Sequence, residues 1–130
     1  MERVDHWGYV PGRADYVRLL ARCDFVVSTA VQENFGLSVV EAAYAGAHPL
    51  VPHRLSYPEV LPGGLHAACL YTKDYPLEEK LEALLAGGAR RVPPAVLREA
   101  LQLHAWENRA PAFDEMICRV FAGHSRGDVL

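Results

Sequence analysis

Cysteine is scarce and scattered in this 130-residue chain: Cys23, Cys69 and Cys118 form no Cys-x-x-Cys pair. An odd, widely spaced set argues against a disulfide framework and a structural zinc site, and fits a reducing cytoplasm. An excess of positive charge is also missing. With 13 Lys and Arg against 16 Asp and Glu, the formal net charge is -3 and the pI is near 6.0. The chain as a whole therefore carries no electrostatic footprint for nucleic acid, and contact with RNA would need a local patch or residues outside it. No apolar run approaches the roughly 20 residues of a membrane span. The opening MERVDH has no basic and then apolar leader character. These absences lead us to expect a soluble, cytoplasmic protein with no membrane partner.

A hydrophobic share of 51% with 22% charged residues is enough to bury a core, so one globular unit is expected over residues 1–122, followed by a flexible polar tail, 123–130. His6 to Val10 reads as a first strand closing at Pro11-Gly12. Ala14 to Cys23 has helical spacing, with Val17, Leu20 and Ala21 apolar. Phe25 to Val27 is a second strand, Leu37 to Ala45 an apolar helix ended by Gly46, and Pro49 to Val51 a third strand. Tyr57 to Val60 should form a brief helical turn, and Ala67 to Tyr71 a fourth strand. Helices follow at Leu77 to Leu85 (with Leu77, Leu81, Leu84 and Leu85 on one face), Pro94 to Leu103 and Ala110 to Phe121. Strands alternating with helices predict an α/β, Rossmann-like parallel sheet of about four strands, flanked by helices and closed by a helical C-terminal tail.

The chemistry concentrates in ENFGLSVVE, where Glu33 and Glu41 bracket seven residues. Glu41 is the only charged residue between Leu37 and Ala47. Burying it unpaired would cost several kcal/mol, on the order of the effective penalty per ion. A ligand with paired hydroxyl donors, such as a ribose, would relieve that cost. In a parallel sheet, ligands bind beyond the carboxyl ends of the strands, at helix N-termini that offer N–H groups and a positive dipole end. The loop from Ser28 to Gly36 occupies that place. Small Gly36 would let a phosphate or a sugar hydroxyl reach the amides of Phe35, Leu37 and Ser38, while Glu41 lies about 6 Å further along the axis at ~1.5 Å per residue. The competing account makes Glu33 a solvated loop acid and pairs Glu41 with an arginine from a neighbouring element.

ENFGLSVVEAAYAG resembles the E-x-F-G-x-x-x-x-E motif of family 4 retaining glycosyltransferases with the GT-B fold, and the likeness extends through DFVVSTAVQE before it and PLVPHRLSYPEV after it. It covers roughly Gly8 to Val60, with weaker echoes in the helical tail. Two residues rather than one separate Gly46 from Pro49, and Leu55-Ser56 stand where the common pattern has glycines before proline-glutamate. Both departures are similar to the tRNA-queuosine mannosyltransferase group.

The resemblance implies the C-terminal, donor-binding half of a two-domain enzyme, without its first strands and inactive alone. Glu33, the implied catalytic residue, would contact the transferred sugar. Asn34, Phe35, Gly36, Leu37 and Ser38 would line the sugar and diphosphate, and Glu41 would accept from the ribose hydroxyls. Neither a metal nor another cofactor is implied; the donor would be a nucleotide sugar, GDP-mannose in that group. The acceptor would be queuosine in tRNA, reached through an N-terminal domain. A sheet cut in this way would expose an edge, with self-association as a consequence. A non-catalytic nucleotide-sugar-binding module and a sugar-nucleotide epimerase are the rival readings. His48 and His53 are weighed as packing or surface groups against ligand contacts, Tyr57 and Glu59 as turn residues against donor contacts, and Trp106 as a core anchor of the last helix.

Overall fold

The computed structural model describes residues 3–124. The proposed tail at 123–130 lies almost wholly outside them. Three strands, β1 (Phe25–Val27), β2 (His48–Pro52) and β3 (Leu70–Tyr71), form a parallel sheet in the order β1-β2-β3. Phe25 is opposite His48 and Val27 opposite Leu50, while Val51 pairs with Leu70. The helices are α1 (Arg13–Ala21), α2 (Leu37–Ala45), α3 (Tyr57–Val60), α4 (His66–Cys69), α5 (Leu77–Leu85), α6 (Pro94–Leu101) and α7 (Trp106–His124), with tight turns at Gly63–Leu65 and Gln102–His104. No helix among the described residues is long and apolar enough to cross a membrane.

The α/β parallel architecture is as the alternation of patterns predicts, but the strands among the described residues are three. His6 to Val10 does not pair: Gly8 has φ 93, which breaks an extended run, and Trp7 and Tyr9 are 90% and 84% exposed, so burial does nothing to hold a strand there. Ala67 to Cys69 are helical, leaving only Leu70 and Tyr71 in β3. The carbonyls of Ala67 and Ala68 bond side chains instead of a neighbouring strand, Ala67 taking Lys80 Nζ at 2.5 Å and Ala68 taking His48 Nε2 at 3.3 Å.

The core forms where α2 and α6 meet the sheet, from Val39, Ala43, Val51, Tyr57, Leu61, Leu65, Cys69, Leu70, Leu97 and Leu101. Each fully buried leucine there contributes about 1.5–3 kcal/mol. α2 ends at Gly46 (φ 118), and the Arg98 guanidinium donates to the last-turn carbonyls of Tyr44 at 3.1 Å and Ala45 at 3.5 Å. On α5 the deeply buried residue is Lys80, 5% exposed, whereas Leu85 is 69% exposed. Lys80 spends its charge on the Ala67 carbonyl and the Tyr75 ring, 5.0 Å away.

Trp106 does not anchor α7 in the core. It is 74% exposed and shares a shallow cleft with Arg109, Phe113 and Met116 on the same helix. The chain turns extended at Ala105 (ψ 141) before α7 begins, so α7 does not continue the path of the preceding turn.

Candidate functional site

A parallel sheet puts the ends of all its strands on one edge, so the segments after β1, β2 and β3 converge there. Ser28 is the junction. Its amide donates to Leu50 O at 3.1 Å, its hydroxyl shares a 2.7 Å hydrogen bond with the Tyr57 hydroxyl, and its carbonyl accepts from the Tyr71 hydroxyl at 2.9 Å. Ala30 N–H donates to Ser28 Oγ at 3.2 Å, and Arg54 donates to Ala30 O at 3.1 Å. The start of the loop, Ser28 to Ala30, is thereby pinned from β2, α3 and β3. Tyr57, 1% exposed, and His48, 1% exposed, are framework residues, while His53 and Glu59 are exposed.

Gly36 precedes α2 with φ 84, and its carbonyl accepts from the amides of Val39 and Val40. A Cβ there would come within 2.9 Å of Tyr57 Cε1, so both the backbone angle and the close ring require glycine. No side chain caps this helix start. The first-turn N–H groups of Leu37 and Ser38 have no intrahelical partner by geometry, and both residues are exposed.

Glu33 is half-buried beside this end, and its Oε1 accepts from the amides of Asn34 at 3.0 Å and Phe35 at 3.3 Å. The Phe35 amide is thus bonded to Glu33 in this structure. The Phe35 ring stands edge-on to His104, with centroids 5.4 Å apart, and is 41% exposed.

Glu41 faces another wall of the same helix. It lines a cleft of about 410 Å³ between α1, α2 and the Gln102–His104 turn, together with Arg13, Tyr16, Tyr44 and His104 and the apolar Val17, Leu20, Val40 and Leu101. Its Oε2 accepts from the Tyr16 hydroxyl at 3.0 Å. The ion pairs among the described residues are Arg18–Asp15, Arg22–Asp5, Arg91–Asp24 and Arg119–Glu115, so Glu41 is in none of them. An adjoining cleft of about 440 Å³, lined by Gly8, Tyr9, Val10 and Pro11, shares Arg13 and Tyr16 with the first. Burial, then the hydrogen bond and charge of Glu41, push the Tyr16 phenol above its ordinary pKa. Tyr16 therefore stays a neutral donor.

Against known proteins, the chain is 44% identical over 50 residues to a tRNA-queuosine alpha-mannosyltransferase of Drosophila melanogaster. The match takes in 38% of this chain and 13% of that relative's length. No protein-family model and no solved structure matches the chain. The similarity is therefore to a glycosyltransferase, over part of the chain.

The structure gathers Glu33 to Ser38 at the start of α2 but keeps Glu33 out of the lining of the Glu41 cleft. Tyr16, Arg13, Tyr44 and His104 were not singled out from sequence. The only signal for Tyr16 was helical phase, since it precedes apolar Val17 on the helix that packs against α2. His104 gave none, because its place depends on how the turn after α6 folds back. Among the described residues no group of three His, Cys, Asp or Glu side chains is placed to hold a metal ion.

Proposed function

We propose that this chain is the nucleotide-sugar-binding part of a retaining glycosyltransferase. The observation that carries the reading is the setting of Glu41: a carboxylate in none of the ion pairs among the described residues, facing a roomy, largely apolar cleft, and bonded by a neutral hydroxyl. A carboxylate held by a hydroxyl keeps acceptor positions open, and with Arg13 also in the lining it suits a ligand with vicinal hydroxyls against an apolar wall. The uncapped amides of Leu37 and Ser38 at the α2 N-terminus suit a diphosphate. Glu33 is assigned to hydroxyls of the transferred sugar.

In the whole protein the transferred sugar would be mannose and the acceptor queuosine in tRNA, on the strength of the partial similarity; GDP as the nucleotide is what the resemblance of the motif implies. The bond between the anomeric carbon and the diphosphate oxygen breaks. The acceptor hydroxyl bonds the same face of that carbon, and its proton passes to the departing diphosphate. The chain's part is to position the donor and to stabilise the charge that develops on the leaving group.

The test is a protein-observed NMR titration with GDP, UDP, ADP and their mannose or glucose conjugates, for wild type and Glu41→Ala. One nucleotide should bind selectively, moving the amides of residues 35–38, and the substitution should weaken it about tenfold or more. Absence of selective binding, or indifference to the substitution, overturns the reading. A longer protein containing this chain that turns over no nucleotide sugar with queuosine-bearing tRNA removes the acceptor assignment and leaves the donor assignment standing.

A further inference from the structure

We propose that Tyr16 is a positioning residue: its hydroxyl holds one carboxylate oxygen of Glu41 so that the other is presented to the vicinal diol of a nucleotide's ribose. This rests on the nucleotide reading above and adds a residue that neither the motif nor the similarity assigns.

The geometry supports it in three ways. First, the Tyr16 hydroxyl reaches Glu41 Oε2 at 3.0 Å from a different helix, 25 residues away, which restricts a flexible side chain before any ligand arrives. A carboxylate has about four acceptor positions, so one phenol leaves most of them for a diol. Second, the partner is neutral. An arginine would orient the carboxylate equally well but would compensate its charge and engage both oxygens; a tyrosine orients it and leaves its negative charge to strengthen hydrogen bonds from the ligand. Third, Tyr16 lines both the 410 Å³ cleft and the adjoining 440 Å³ cleft, so it stands where a ligand spanning the two must pass. Burial and the neighbouring carboxylate, which disfavour the phenolate, keep the hydroxyl a donor across the neutral range.

A plain strap between α1 and α2 is the alternative, since α1 itself has no fully buried residue. The two roles separate by ligand. The full chain, as wild type and Tyr16→Phe, is titrated by protein-observed NMR with whichever of GDP, UDP and ADP the wild type binds, and with the 2′,3′-dideoxy form of the same nucleotide. Positioning predicts that Tyr16→Phe weakens the ribonucleotide about tenfold and leaves the dideoxynucleotide within about twofold of wild type. Equal weakening of both ligands makes Tyr16 a strap and overturns the inference. Unchanged or tighter ribonucleotide binding overturns it as well. If wild type binds the ribo and dideoxy forms equally, the inference falls while nucleotide binding stands. If it binds neither, the nucleotide reading falls first and this inference with it.

Discussion

The Tyr57 ring lies where a side chain on Gly36 would have to go: a Cβ at Gly36 would sit 2.9 Å from Tyr57 Cε1. Tyr57 is 1% exposed and its hydroxyl is bonded to Ser28, so the ring has nowhere to retreat. Gly36 also holds φ 84, a left-handed angle that a side chain disfavours. Both effects act in the same direction. Gly36→Ala should lower stability by about 1–3 kcal/mol in urea denaturation, whereas Gly64→Ala, with nothing within 4 Å and an ordinary φ, should cost less than about 1 kcal/mol. Equal costs at the two sites would refute the close approach.

The Tyr16–Glu41 hydrogen bond should give stability an alkaline limit. Burial, with help from Glu41, raises the Tyr16 pKa above its ordinary value near 10. A raised folded-state value means that this contribution is fully present below about pH 10 and is lost as pH rises through the folded value. Thermal melts between about pH 8 and 11 should show wild type falling more steeply than Tyr16→Phe. Parallel curves would show that the phenol titrates as in the unfolded chain.

His48 should make stability fall on the acid side. Burial pushes its imidazole below the ordinary value near 6.5, outweighing the Ala68 carbonyl. Val92 N–H donates to Nδ1 at 2.9 Å, so the proton is on Nε2, which donates to Ala68 O at 3.3 Å. Protonating Nδ1 would set two N–H groups against each other. The contribution is present above about pH 6.5 and is lost as pH falls through the lowered value. NMR titration of the ring should give a midpoint below 6.5, with loss of the Val92 amide's protection on the acid side.

Leu55 carries φ 60, a left-handed angle in a residue with a side chain, at the place where the related motif has glycine. That conformation costs about 1–2 kcal/mol, and replacing Leu55 by glycine removes the strain at an entropic cost of roughly 0.5–1 kcal/mol. Leu55→Gly should therefore raise the urea midpoint slightly, by up to about 1 kcal/mol in stability. A clear loss would mean that the half-exposed leucine side chain packs more productively than its backbone is strained.

Legibility from sequence followed the range of the interaction. The bounds of α2 are legible to the residue, because its apolar composition and its glycines at 36 and 46 are properties of adjacent positions, and the structure shows both glycines at positive φ. The first strand failed for a tertiary reason: HWGYV has strand composition, but no strand among the described residues bonds it and its aromatics stay exposed. AACLY became mostly helical because side chains from α5 and β2 take the carbonyls a ladder would have used. Leu77, Leu81, Leu84 and Leu85 marked the amphipathic face of α5, yet the lysine between them is the most deeply buried, since only docking onto the Ala67 carbonyl reveals where its ammonium finds a partner.

What the chain determines by itself is a parallel α/β unit with a glycine-opened apolar helix and a carboxylate one turn inside it. Periodicity, turn chemistry and backbone sterics act over a few residues and need no knowledge of the remainder. Only the tertiary structure decided that this carboxylate meets a tyrosine rather than an arginine and that it faces an open cleft. Those outcomes depend on how α1 and the turn after α6 dock against α2, between positions 25 to 63 residues apart, where charge and hydrogen-bond matching are settled by packing.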